Sequence, residues 1–205
     1  MIKRYSGKNL DDALAHAAKE KSVQVSELTY YVIEEKKGIL GFGAEVILEA
    51  YALNDVSLFI QTYLSNFFSY FDPKAEISVD RQGEVYKVLI NASNNAILIG
   101  KAGQTLQSLV SVVRSATSSE FKRRFVINVD INNYKVDRYE KVRLMAARIA
   151  KQVQRTRITA ILDPMPNDER KVIHQELQKV KNIKTESEGD GPKRRLKIMF
   201  DKQKN

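Results

Sequence analysis

The chain has 205 residues, is 43% hydrophobic, holds no cysteine and carries a formal net charge of +9 at pH 7. That length and apolar content suit one to three small domains with real cores, and the missing cysteine excludes disulfides, thiolate metal sites and cysteine nucleophiles. Residues 1–8 lack the apolar stretch of a signal peptide, and no run approaches the roughly 18 apolar residues of a membrane span, so a soluble cytoplasmic protein is expected.

Residues 11–19 hold Leu14, Ala15, Ala17 and Ala18 and predict an Ala-rich helix. Alternation predicts strands over 28–34 and 46–53. Between them, residues 34–43 contain three glycines, as a dinucleotide-binding loop would. That loop must open a helix, whereas here the chain runs into a strand, so the reading fails. A sharp glycine connection rimmed by Lys36 and Lys37 is expected instead.

Residues 55–71 place Val56, Phe59, Ile60, Tyr63, Leu64, Phe67, Phe68 and Phe71 at helical spacing, and Pro73 closes the run. Strands are expected over 75–79 and 85–90 with a turn at Arg81–Glu84, then a short helix. Next comes Gly100-Lys101-Ala102-Gly103, and Leu106, Leu109, Val110 and Val113 mark the helix behind it. Two glycines three apart let the backbone approach another chain closely. Such a turn offers N–H groups at a helix N-terminus, where anions are favoured, and Lys101 adds a cation. A phosphodiester is the natural guest. A strand over 124–130 follows.

The last third is the basic one: residues 131–205 hold 19 Lys and Arg against 10 Asp and Glu, while residues 1–53 net −1 and 54–130 net +1. Such a block attracts a polyanion with an affinity that falls with salt. A helix is expected over 134–153, its apolar stripe Val136, Tyr139, Val142, Ala146, Ile149 and Val153. A strand over 157–162, a helix over 168–180 and a hairpin of 183–187 with 194–200 complete it. On the second helix Arg170 and His174 lie four apart and so share a face. A guanidinium fork and an imidazole there can both donate to phosphate, with Lys171, Lys193, Arg194 and Arg195 as supporting cations.

Three resemblances rest on these residues. The order helix, strand, strand, short helix, G-x-x-G, helix, strand resembles the type II KH domain (αββααβ), whose loop clamps about four single-stranded nucleotides. It implies that Gly100, Lys101, Ala102 and Gly103 hold the strand and that Ile97 and Ile99 line the groove; relatives often carry a second basic residue where Ala102 stands. Arg170 and His174, with the basic hairpin, resemble the R-x-x-x-H domain, which binds single-stranded nucleic acid. The glycine-rich stretch 36–43 resembles the N-terminal Jag domain. Together they resemble the bacterial Jag family, also called KhpB or EloR. The fold expected is α+β in three small domains: a βαββ-like Jag domain (1–53), a type II KH domain (54–130) and an R-x-x-x-H domain (131–205).

The resemblance implies a single-stranded RNA-binding regulator of bacterial cell elongation and envelope synthesis. It implies pairing as a homodimer or with the small KH protein KhpA, through the apolar face of 55–71 or the strand 124–130. The alternative is an adaptor that docks an envelope-synthesis partner through the Jag domain. No cofactor or metal is implied. Catalysis is not expected: only His16 and His174 are present, and His174-Gln175-Glu176 lacks the cysteine ligands that zinc deaminases need.

Overall fold

The computed structural model describes residues 1–38, 43–70 and 72–204. Most of the glycine connection between the first two long strands, and Phe71, lie outside the described residues. Two compact units emerge: Met1–Leu98 with Leu106–Asn132, and Ile99–Thr105 with Asn133–Asn205.

The first unit opens with β1 (Lys3–Gly7), α1 (Leu10–Lys21), β2 (Leu28–Lys36) and β3 (Glu45–Ala52), an antiparallel sheet in the order β1-β3-β2. Asn9 caps α1 by accepting the Asp12 N–H at 2.8 Å. The small residues Ala13, Ala17 and Ala18 let the helix lie close on Tyr5, Leu48 and Ala50. His16 is exposed, its Nδ1 2.9 Å from the Ser6 carbonyl oxygen.

Without a linker the chain enters α2 (Leu53–Phe68), whose first turn Asp55 caps by accepting the Ala52 N–H at 2.8 Å. Burial would raise the Asp55 pKa, but the Lys21 ammonium at 2.7 Å and that N–H hold it below the usual carboxylate range. Then come β4 (Glu76–Gln82), β5 (Val85–Asn91), α3 (Asn95–Ile99), α4 (Gln104–Phe121) and β6 (Val126–Ile131). β4 and β5 form a hairpin through Gly83 (φ +61), and β6 runs parallel to β5. A parallel pair needs a crossover, here α3, the glycine turn and α4. The αββααβ order stands as expected.

The stripes of α2 (Val56, Ile60, Leu64, Phe68) and α4 (Leu106, Leu109, Val113, Thr117, Phe121) are buried, as are Tyr86, Val88, Ile90, Ile127, Val129 and Ile131. By length and mean hydropathy Asn95–Phe121 is a weak candidate for a membrane span, although polar residues interrupt it throughout and it holds no long apolar run. The glycine turn also divides it into α3 and α4. Residues 1–53 keep a cluster of their own around Tyr5, Leu14 and Leu48 but also pack on 54–132: Tyr51 lies 4.8 Å from Phe121, ring centre to ring centre, and Phe59 lies 5.6 Å from the same ring. The Tyr31 hydroxyl donates to the Phe121 carbonyl at 3.2 Å, and Lys122 pairs with Glu49 at 2.6 Å.

The second unit contains α5 (Tyr134–Thr156), β7 (Ala160–Ile161), α6 (Asn167–Leu177), β8 (Ile183–Glu188) and β9 (Arg195–Phe200), the strands antiparallel in the order β7-β9-β8. α5 runs 23 residues, about 35 Å. Its buried stripe is Val142, Ala146, Ala150 and Val153 against Leu162, Ile173, Leu177, Ile183, Leu196 and Ile198. Val136, expected in that stripe, is 66% exposed because the buried seam begins only at Val142, nearly two turns on. The strand expected from residue 157 is short, since Arg157 (φ +60) caps α5 with its N–H on the Val153 carbonyl at 2.7 Å.

Candidate nucleic-acid interface

The glycine turn is set by backbone geometry. Gly100 (φ +70, ψ −178), Ala102 (φ +50) and Gly103 (φ +77) all adopt positive φ. The Gly103 N–H donates to the Gly100 carbonyl at 3.3 Å. A Cβ on Gly100 would stand 2.1 Å from Thr105 Oγ1 and 3.1 Å from its backbone N, so only glycine fits. Lys101 is exposed, Ala102 and Ile99 half-buried, and Ile97 exposed to 69%. A cation and a large apolar side chain thus stand at the surface beside a turn whose Gly100 and Ala102 are half-buried and whose Gly103 is buried.

Arg170 and His174 share the side of α6 that faces β8, each meeting a hydroxyl. Arg170 Nη1 donates to Ser187 Oγ at 3.0 Å, and His174 Nδ1 lies 2.6 Å from Thr185 Oγ1. The spacings match: four helical residues rise about 6 Å, and two strand residues about 6.6 Å. Arg170 also donates Nε to the Met165 carbonyl (3.3 Å) and Nη2 to Asn167 Oδ1 (3.1 Å). It is buried, whereas His174 is exposed. Three of the five guanidinium N–H groups are therefore spent inside the protein, leaving two for a ligand. Spacing alone placed the pair on one face; contact with β8 made one member structural.

Burial lowers the Arg170 pKa, and the nearby Arg194 charge lowers it further. The Arg194 carbonyl accepts the Met165 N–H at 3.3 Å, which ties the hairpin to the segment entering α6. Lys171, Lys193 and Arg194 are exposed and have no ion-pair partner among the described residues. Arg195 departs from the expected cluster. Its Nε is 2.9 Å from Glu188 Oε1, and Lys197 pairs with the same carboxylate. The hydrogen bond from Lys197, then that from Arg195, lowers the Glu188 pKa against its desolvation.

Sequence reasoning passed over several contributors. Thr185 and Ser187 alternate on one strand, so their shared face was readable, though not what it faced. Glu169, 3% exposed, accepts both Nε and Nη2 of Arg138 at 2.9 Å each, and Asp168 accepts the Tyr139 hydroxyl at 2.8 Å. A buried carboxylate needs such a partner, and this one anchors the first turn of α6 to α5.

Comparison with known proteins finds three family models along the chain: Jag N-terminus over residues 5–51, KH domain over 60–141 and the R-x-x-x-H domain over 140–199. RNA-binding protein KhpB of Bacillus subtilis is 32% identical over 198 residues, covering 94% of this chain and 95% of that protein. The protein of the same name from Clostridium symbiosum is 31% identical over 205 residues, covering 97% and 91%. The one from Streptococcus pneumoniae serotype 2 is 25% identical over 142 residues, 69% of this chain and 43% of that protein.

Proposed function

The chain belongs to the Jag family of KhpB proteins, and from that premise we propose that it binds single-stranded RNA through the Gly100–Gly103 turn and the Arg170–His174 face. The observation that carries this reading is the turn itself: three residues at positive φ, a position where only glycine fits, and an exposed Lys101. Phosphates approach the half-buried backbone of Gly100 and Ala102 and the exposed Lys101 while bases lie toward Ile97 and Ile99. On α6, His174 and the two remaining Arg170 N–H groups take the next phosphates. Lys171, Lys193 and Arg194 add attraction that does not depend on base identity.

The family resemblance extends the reading to a cytoplasmic regulator of cell elongation and envelope synthesis that pairs with a second KH module. The apolar stripe of α2 cannot form that pairing, because it is consumed in the first unit's core. The outer edge of β6 fits better, since β6 ends the sheet order β4-β5-β6. Light scattering at tens of micromolar, with and without a small KH protein, tests it: a strictly monomeric chain that recovers no partner removes the pairing.

Replacing Lys101 and Ala102 together by Asp tests the RNA reading. Asp tolerates the left-handed conformation of position 102, so the melting temperature should hold. Binding of single-stranded RNA should fall as two carboxylates meet phosphates. Unchanged binding by the folded variant would remove the turn from the interface.

One observation favours the adaptor as a second reading. β2 ends its sheet, and Tyr30, Val32 and Ile33 on it are exposed to between 40% and 47%. An open edge with apolar side chains suits an added strand from a partner. Val32→Lys should then cost partner capture and spare RNA affinity.

A further inference from the structure

Residues Ile99–Thr105 belong by their contacts to the second unit, although residues 106–132 intervene in the chain before that unit resumes. The contact is specific. A Cβ on Gly103 would stand 3.5 Å from Tyr134 Cε1 and 3.6 Å from its Oη, so the ring at the start of α5 lies behind the turn. One helical turn on, Arg138 holds Glu169 through two hydrogen bonds, and Glu169 directly precedes Arg170. Tyr134 sits amid the same groups: burial raises its hydroxyl pKa, and Arg138, Glu169 and Asp168 are the charges that act on it. Two side chains, Tyr134 and Arg138, thus separate the turn from the first turn of α6.

We infer that the Gly100–Gly103 turn and the Arg170–Arg194 cluster are the two ends of one RNA track that a single strand occupies, with the first turns of α5 and α6 as its floor. This rests on the RNA-binding reading and adds to it the continuity of the site. Tyr134 to Arg138 is about 6 Å of helix; with the contacts at either end the path is on the order of 15–20 Å. A strand stacked as in a duplex, at about 3.4 Å per nucleotide, would place about four to six nucleotides on that path, and an extended strand fewer, against the roughly four held at a KH loop.

Of the carboxylates along the path, Glu169 is buried and matched by Arg138, while Asp168, which accepts the Tyr139 hydroxyl, and the exposed Asp137 in the first turn of α5 have no ion-pair partner among the described residues. The exposed cations stand at the ends: Lys101 at the turn, Lys171 and Arg194 beside Arg170. Two weak contacts joined by one strand act through effective concentration, which raises affinity without adding a contact.

Binding of the full chain to uridine oligonucleotides of 4 and 12 nucleotides tests the shared strand. The 12-mer should bind one per chain and about 100-fold or more tighter than the 4-mer. Lys101→Asp and Arg194→Glu change exposed side chains, so each should fold with an unchanged melting temperature. Each alone should bring the 12-mer to within about tenfold of the 4-mer. Two 12-mers per chain, or single variants that each cost about twofold or less while only the double variant abolishes binding, would overturn the shared track. So would a loss confined to one of the two variants. Failure of the unaltered chain to bind either oligonucleotide would overturn the RNA reading along with it.

Discussion

The turn Gly100–Gly103 and the pair Arg170–His174 are suited to the same guest, yet they are built from different parts. In the turn, backbone conformation supplies the shape, and the cation stands outside it: Lys101 is exposed and takes no part in the geometry. On α6 the side chains are the structure. Arg170 bonds Met165, Asn167 and Ser187 and is 8% exposed, so its charge reaches a ligand only through what those bonds leave over. In the turn the named glycines hold the shape and the cation between them is replaceable, whereas on α6 the named arginine is itself part of the packing.

Changes that strike the geometry itself should sharpen this contrast most. Gly100→Ala puts a Cβ 2.1 Å from Thr105 Oγ1 in a backbone region that essentially only glycine occupies. Unfolding by denaturant should show a loss of about 2–4 kcal/mol together with loss of RNA binding. Thr105→Ala should restore part of the stability, since it removes the side-chain contact but not the strain. Full stability in Gly100→Ala would mean that the turn is not held as described.

Arg170→Ala should come next, at about 2–3 kcal/mol from the second unit, because three hydrogen bonds of a buried guanidinium vanish. Arg170→Lys should recover little, since an ammonium cannot reproduce the planar fork. Hydrogen exchange in α6 and β8 reads the loss locally. An Arg170→Ala variant as stable as the parent but unable to bind RNA would erase the distinction between the two motifs.

His174→Ala removes one hydrogen bond at an exposed position, worth about 0.5–1 kcal/mol. It should lower RNA affinity well before it lowers stability. Thermal melts and binding on the same sample separate the two, and unfolding ahead of the affinity loss would make His174 architectural too.

The smallest contrast lies within the basic hairpin. Arg194→Gln should reduce the salt slope of RNA binding by about one, and Arg195→Gln by less, because Glu188 already holds Arg195. With its pKa lowered, Glu188 keeps that pair intact above about pH 4, its ordinary range. The pair is lost as the pH falls through the lowered value, where the two variants should converge. An equal effect at neutral pH would show that the ion pair opens on binding.

Periodicity and punctuation carried most of the fold. The αββααβ order, the Ala-rich helix, the terminal hairpin and the glycine turn were all readable from spacing, and boundaries moved mainly where a cap intervened, as at Arg157. Three matters were not readable. Val136 had the right spacing for the seam of α5 but lies ahead of it. The segment 1–53 reads as a separate domain, yet Tyr51 packs on Phe121, so a fragment beginning at 54 would uncover that ring. Arg170 reads as a free fork, yet it is largely bonded to the protein.

The residues alone determined which main helices and strands form, where a pair of glycines permits a tight turn and which third of the chain is basic. Each depends on neighbours within a few positions: side-chain period, glycine's missing Cβ, the density of Lys and Arg. Tertiary structure decided which charges remain available. Arg170 meets Ser187 across 17 positions, Arg138 meets Glu169 across 31, and Lys122 meets Glu49 across 73. A charge is satisfied by whatever lies opposite it in space, and local spacing holds no information about that partner.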